Sequence, residues 1–225
     1  MPKISRPNED LEKCDTCITC KMRKAARGDG DARKEAEVAW QGIHLDWGFI
    51  AQSSKNSDRT KMLTGINGEQ ACLLVADGAT DKLHGYTSGG KAPPIEWLNK
   101  FLAKYSPSVE GKYAVMDLSS ELGRNVEVRK LLEKCGYEMR PTAPEASHQN
   151  ALAERPHQTI GNMIRTMLDG AGLDYKFWPH AFDIAPLVHS FIDHGGRGVP
   201  HQRAEGGKPG AESGIHWCPG VVGVR

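Results

Sequence analysis

Long apolar runs are missing from this sequence. Nothing in its 225 residues approaches the roughly 18–20 consecutive apolar residues of a membrane-crossing helix. The opening decapeptide MPKISRPNED lacks the apolar stretch of a secretory leader. These two absences argue against a membrane role and set an intracellular location, nucleus or cytoplasm, as the expectation. Excess charge of one sign is missing as well. Lys and Arg number 29 and Asp and Glu 28, which leaves +1 with the nine His counted neutral. A strongly basic balance is the usual electrostatic footprint of a nucleic-acid-binding chain, so any contact of that kind has to come from a local basic face. Internal repeats are not visible either. What is present is ordinary globular material: 39% hydrophobic and 25% charged residues, enough for one main domain with a small appendage.

Six cysteines occur, three of them within seven residues: Cys14, Cys17 and Cys20. Clustered cysteines in an intracellular chain bind metal more often than they form disulfides. Cys72 and Cys135 sit inside apolar segments and read as small buried hydrophobes.

Along the chain, residues 1–26 are polar and basic, and 27–40 are charged and short of large apolar side chains, which reads as a linker. Ile43 and Leu45 alternate with His44 and Asp46, predicting a strand over 41–47. Residues 52–69 read as an irregular insertion. Strands are expected at 70–76 and 82–87, joined through Asp77-Gly78 as a hairpin. Pro93-Pro94 opens a helix over 94–105, with Ile95, Leu98, Phe101 and Leu102 on one face. Tyr113–Asp117 is a fourth strand. A helix over 124–135 carries Val128, Leu131 and Leu132 inward and stops at Gly136; Tyr137–Arg140 is a fifth strand.

A long helix over about 151–169 has an apolar stripe of Ile160, Met163, Ile164, Met167 and Leu168. Pro156 belongs in a first turn, which predicts a helix start near Leu152. A further helix over 175–193 accepts Pro179 in its first turn, and Pro186 predicts a kink. From Gly195 onward the chain is rich in Gly and reads as loosely structured. Five strands and interleaved helices in this order imply an α/β protein with a mixed sheet flanked by helices.

Three carboxylates stand out. Asp46 lies inside an apolar strand, Asp117 at the end of the fourth strand, and Glu154 at the beginning of the long helix. Strand-end and helical carboxylates can converge, and hard divalent cations prefer such oxygen ligands while keeping waters and substrate phosphates in their shell. Paired ions of this kind serve in-line phosphodiester transfer. Taken singly, an Asp at a strand end is more often a turn or capping residue.

The block from Asp117 to Trp178 resembles the integrase core of copia-like long-terminal-repeat retrotransposons. The resemblance is carried by Asp117, Glu121-Leu122, Gly136-Tyr137, Ala143-Pro144, Ser147, Gln149-Asn150, Ala153-Glu154-Arg155, His157, Arg165, Met167-Leu168 and Trp178. His44-Leu45-Asp46-Trp47-Gly48 is similar to the family's first-Asp segment. Thirty-six residues separate Asp117 from Glu154, in keeping with the family's spacing of about thirty-five. The likeness spans residues 41–190 and weakens toward Gly207-Lys208-Pro209 and Ile215–Arg225. It implies a ribonuclease-H-like fold with an integrase core over 41–194 and a Gly-rich extension over 195–225. It further implies Asp46, Asp117 and Glu154 as catalytic ligands of magnesium or manganese, DNA as partner, and a homo-oligomer.

On the long helix, His157, Gln158 and Arg165 share a polar face with Glu154 and are candidate DNA contacts, together with Gln149, Asn150, Arg155 and Lys176. A solvated helix face is the plainer alternative. Leu118-Ser119-Ser120 stands where the family has a polar Asn-Gly-Gly-type turn, and Ala151 where a Gly commonly follows the Asn. Cys14-x-x-Cys17 is similar to the second half of the family's His-His-Cys-Cys zinc module. Tetrahedral zinc takes four ligands, and residues 1–13 contain no histidine. The segment therefore reads as a truncated zinc-binding remnant, with three free thiols as the alternative. An inactive nucleic-acid-binding relic and a ribonuclease-H-like nuclease are the competing functions.

Overall fold

The computed structural model describes residues 36–52, 61–117, 120–141, 147–194 and 196–205, without the side chains of 52, 61, 141 and 147–154. Its centre is a five-stranded sheet in the order β5-β4-β1-β6-β7. Strands β1 (Gly42–Gly48), β4 (Ala71–Asp77) and β5 (Leu83–Ser88) form an antiparallel meander. Strands β6 (Tyr113–Met116) and β7 (Glu138–Pro141) continue it in parallel on the other side of β1. Within the stretch expected to be irregular, β2 (Ala51–Gln52) and β3 (Lys61–Met62) pair as a separate two-stranded ribbon.

Period-two alternation sorts β1 between two apolar layers. Ile43, Leu45 and Trp47 join Leu73 and Val75 under α1 (Ile95–Tyr105) and α3 (Val126–Lys134). On the opposite face Cys72, Leu74 and Ala76 meet Ile160, Ile164 and Leu168 of α4 (Ser147–Ala171) and Trp178 and Phe182 of α5 (Trp178–Ser190). Strand β4 is buried at every position, as its unbroken apolar run requires of a strand covered on both faces. His44 and Asp46 therefore project toward the α4 side of the sheet. Cys72 is buried, as expected of a small hydrophobe, and Cys135 is half-buried against the core.

The structure departs from the expectations at several points. Helix α4 begins at Ser147, not near Leu152, and holds Pro156 in its interior. An interior proline removes one backbone hydrogen bond. Burial of Ile160, Ile164, Met167 and Leu168 further along gives this helix packing energy to offset that loss. The helix expected over 124–135 is present as α3, and a short additional helix, α2 (Glu121–Arg124), precedes it, divided from it at Asn125. Asn125 leaves helical geometry, and its side-chain oxygen accepts from the backbone N–H groups of Glu127 and Val128 at 2.9 and 3.0 Å, starting a new helix.

The helix expected over 175–193 opens with a short 3₁₀ turn, Tyr175–Phe177, and ends at Ser190, leaving Ile184 and Leu187 exposed. The tail contains a short helix, α6 (Pro200–Ala204). Trp40, at the edge of the charged linker, is a core residue: it is 4% exposed and packs against Phe101 and Tyr105. Its φ of 64° is held by Asp77, whose carboxylate accepts the Trp40 backbone N–H at 2.8 Å. No helix among the described residues is long and apolar enough to cross a membrane.

Candidate functional site

The parallel register of β1 with β6 runs Gly42–Tyr113, Ile43–Ala114, His44–Val115. The pairing ends there; continued two residues, past the end of β6, the register would set Asp46 opposite Asp117 on strands about 4.8 Å apart. Both positions fall on the alternation that faces α4. Asp117 is exposed just past β6, and its backbone carbonyl accepts from Ser120 N–H at 3.1 Å.

Asp46 is reached from α4 by His157. The imidazole Nε2 lies 3.2 Å from the Asp46 backbone oxygen, to which it can only donate, and 3.6 Å from the Asp46 carboxylate. The ring lies over Gly48: a Cβ there would collide with His157 Nδ1 and Cε1. Gly48 is thus required for close approach of α4 to the strand end. Burial pushes the His157 imidazole down to about 4, with the bond to Asp46 opposing. The Cys72 thiol is pushed up to about 12, first by burial and then by the nearby Asp46.

A groove of about 360 Å³ opens beside this pair. Gly48, Phe49 and Ile50 form one wall, and His157, Gln158, Gly161 and Arg165 of α4 the other, with Asp46 between them. Phe49 is 39% exposed here, with Lys91 Nζ 4.7 Å from its ring centre. Arg165 donates to the Asn162 side-chain oxygen on the same helix.

The backbone of Glu154 lies one helical turn before His157 on α4. Its side chain, like those of Gln149 and Asn150, lies outside the described residues, as do Cys14 and Cys17 altogether. Among the described residues, no three His, Cys, Asp or Glu side chains gather as metal ligands. Carboxylates such as those of Asp46 and Asp117 are the hard oxygen donors that magnesium prefers.

Of the other sequence candidates, Gln158 and Arg165 line the groove. Arg155 turns to a different cavity, and Lys176 lies beyond α4, its ammonium 5.6 Å from the Phe177 ring centre. The sequence reading missed the packing of His157 on Gly48. A glycine ending an apolar strand was the available sign of it.

No family model matches the chain, and no curated protein matches it. Among solved structures it is similar to a chain in the cryo-electron-microscopy structure of the simian T-cell lymphotropic virus intasome in complex with PP2A regulatory subunit B56 gamma. The identity is 12% and the TM-score 0.57, over 85% of this chain and 63% of that one. This chain therefore spans less than two thirds of that relative. At such identity the likeness is one of fold. Together with the helix-flanked mixed sheet, it makes this an α/β protein of the ribonuclease-H-like kind.

Proposed function

We propose that this chain is a retrotransposon-type integrase core, similar to those of copia-like elements, that processes DNA 3′ ends and joins them to target DNA. The observation that carries the reading is the β1–β6 register, Gly42–Tyr113 to His44–Val115, which if continued two residues would set Asp46 opposite Asp117. The fold-level likeness to a chain of a viral intasome supports DNA as the partner and a homo-oligomer as the working form.

In this reading the carboxylates of Asp46, Asp117 and Glu154 would hold magnesium or manganese. The metal would activate the attacking oxygen and stabilise the leaving one. The chain's own residues bind and orient. His157 fixes the end of β1 through the Asp46 carbonyl. Gln158 and Arg165 meet phosphate or base edges from the groove wall, and the buried Gly161 lets a strand come close. Gln149, Asn150, Arg155 and Lys176 are proposed as outlying contacts. A zinc remnant at Cys14 and Cys17 and a nuclear or cytoplasmic location belong to the same proposal; metal analysis of the purified protein checks the first.

The test is a strand-transfer assay on a labelled blunt duplex with Mg²⁺ or Mn²⁺. Asp117→Asn and Glu154→Gln are each expected to lower the product about a hundredfold or more while leaving the melting temperature in place. Cleavage of an RNA–DNA hybrid alone would reassign the chain as a ribonuclease-H-like nuclease. DNA binding without turnover in either metal would make it a relic. Both outcomes refute strand transfer.

A further inference from the structure

The groove beside Asp46 carries an aromatic ring to which strand transfer assigns no role. Phe49 lies in its strand-side wall, 39% exposed and outside both apolar layers of the fold. Lys91, which is not part of the lining, holds its ammonium 4.7 Å from the ring centre, a cation–π contact. A single apolar side chain on an open surface needs no explanation. An exposed aromatic ring in the wall of a polar groove is a stacking platform. Across from it lies Gly161, buried in the interior of α4, where glycine costs about 0.5–1 kcal/mol relative to alanine. No neighbour among the described residues demands that glycine: a Cβ placed there would meet nothing nearer than the Arg165 guanidinium nitrogens, at 3.8 Å. At Gly48, by contrast, the space is filled by the His157 ring. The space beside Gly161 opens on the groove instead.

Charge does not choose the occupant by itself, because the lining holds one carboxylate, Asp46, and one guanidinium, Arg165. Shape and surface choose it. A flat ring on one wall and a bare stretch of helix on the other suit a nucleobase, whose face stacks on an aromatic side chain. The Gln158 amide and the Arg165 guanidinium beside that stretch supply donors for a base edge or a phosphate. Within a duplex the face of a paired base is covered by its neighbours, so the ring selects an unpaired one. Phe49 follows Asp46 by three residues, no more than about 10 Å of chain. A base stacked on the ring therefore belongs to the same stretch of strand as a phosphate at Asp46.

We infer that Phe49 is a specificity-determining residue of this groove: it stacks on an unpaired base of a single strand, and Gly161 leaves the room which that strand occupies. The inference rests on the reading of the groove as the DNA site and adds to it a preference for unpaired nucleotides. It is read from binding alone, without strand transfer.

The experiment measures binding of a short fluorescein-labelled oligothymidylate to the full chain by fluorescence anisotropy, in Mg²⁺ at low salt. A second oligomer of the same length has abasic sites in place of the bases and keeps every phosphate. Phe49→Ala is expected to weaken oligothymidylate binding about tenfold, the worth of one base–aromatic stack, and Phe49→Tyr to bind as the parent does. The abasic oligomer should bind the parent and Phe49→Ala alike. Gly161→Ala should weaken oligothymidylate binding while holding or raising the melting temperature, because alanine is the better helix former. The inference is overturned if the parent binds no single strand, or if Phe49→Ala or Gly161→Ala binds oligothymidylate as the parent does. It is overturned equally if Phe49→Ala loses the same affinity for both oligomers. The expected pattern in a chain without strand transfer would refute the catalytic reading and leave this one standing; strand transfer by a chain whose binding ignores Phe49 would do the reverse.

Discussion

Acid should destabilise this fold earlier than its carboxylates alone would require, and His189 allows the effect to be isolated. The imidazole is 8% exposed and held down to about 3, by burial first and the nearby His194 second. In the unfolded chain an imidazole titrates at about 6.5. Between those values the unfolded state takes up a proton that the folded state refuses, so stability falls as pH falls. The loss begins near the unfolded value and is complete only near the folded one. At pH 5 the linkage amounts to about 2 kcal/mol relative to pH 8, which for a domain of this size is roughly 4–8 °C in melting temperature. Asp77 acts in the opposite sense, because burial raises its carboxyl and protonation there favours the folded state. Comparison with His189→Gln cancels such background. Urea unfolding followed by tryptophan fluorescence, in buffers free of phosphate, gives the stability of both proteins at pH 8 and pH 5. The parent should lose about 2 kcal/mol more than the variant over that interval. Equal losses would mean that the His189 imidazole takes up its proton inside the fold, and the argument from burial would fail.

Three further outcomes are expected. Asp77→Ala removes the acceptor of the Trp40 and Ala79 N–H groups and the Thr80 hydroxyl, and should cost about 3 kcal/mol in denaturant unfolding. Gly48→Ala drives a methyl group into the His157 ring and should cost about 1–3 kcal/mol, part of which His157→Ala restores in the double variant. Simple addition of the two losses would show that the ring and the glycine are not in contact. DNA binding by this near-neutral chain should be weak and should fall with salt at a log–log slope of about −3, as for three or four phosphate contacts. Affinity unchanged between low and high salt would remove the groove and its arginine as a backbone-binding face.

What the sequence made legible was local and periodic. The alternation of Ile43 and Leu45 with His44 and Asp46, the apolar run of β4, the Asp77-Gly78 turn and the stripe from Ile160 to Leu168 each follow from a single element burying one face. The departures occur where a distant neighbour decides. Pro156 reads as a first-turn residue by local rule, yet the helix extends back to Ser147. Trp40 belongs to a charged stretch by composition, yet Asp77, thirty-seven residues on, holds its backbone, and Tyr137 donates to its carbonyl at 2.7 Å. Asn125 could have been read as a cap, because an Asn followed by helix formers carries that signal; the apolar period ran across it and masked it.

The same division runs through the candidate site. Asp46 stood out because it lies inside an apolar strand, whereas Asp117 reads locally as a turn or cap residue, and only the resemblance coupled the two. Gly48 beneath His157 joins residues more than a hundred positions apart, and the glycine ending an apolar strand was the one local sign of it. A histidine on an amphipathic helix is unremarkable until its ring is found packed on a strand end, a contact that only closure of the fold decides.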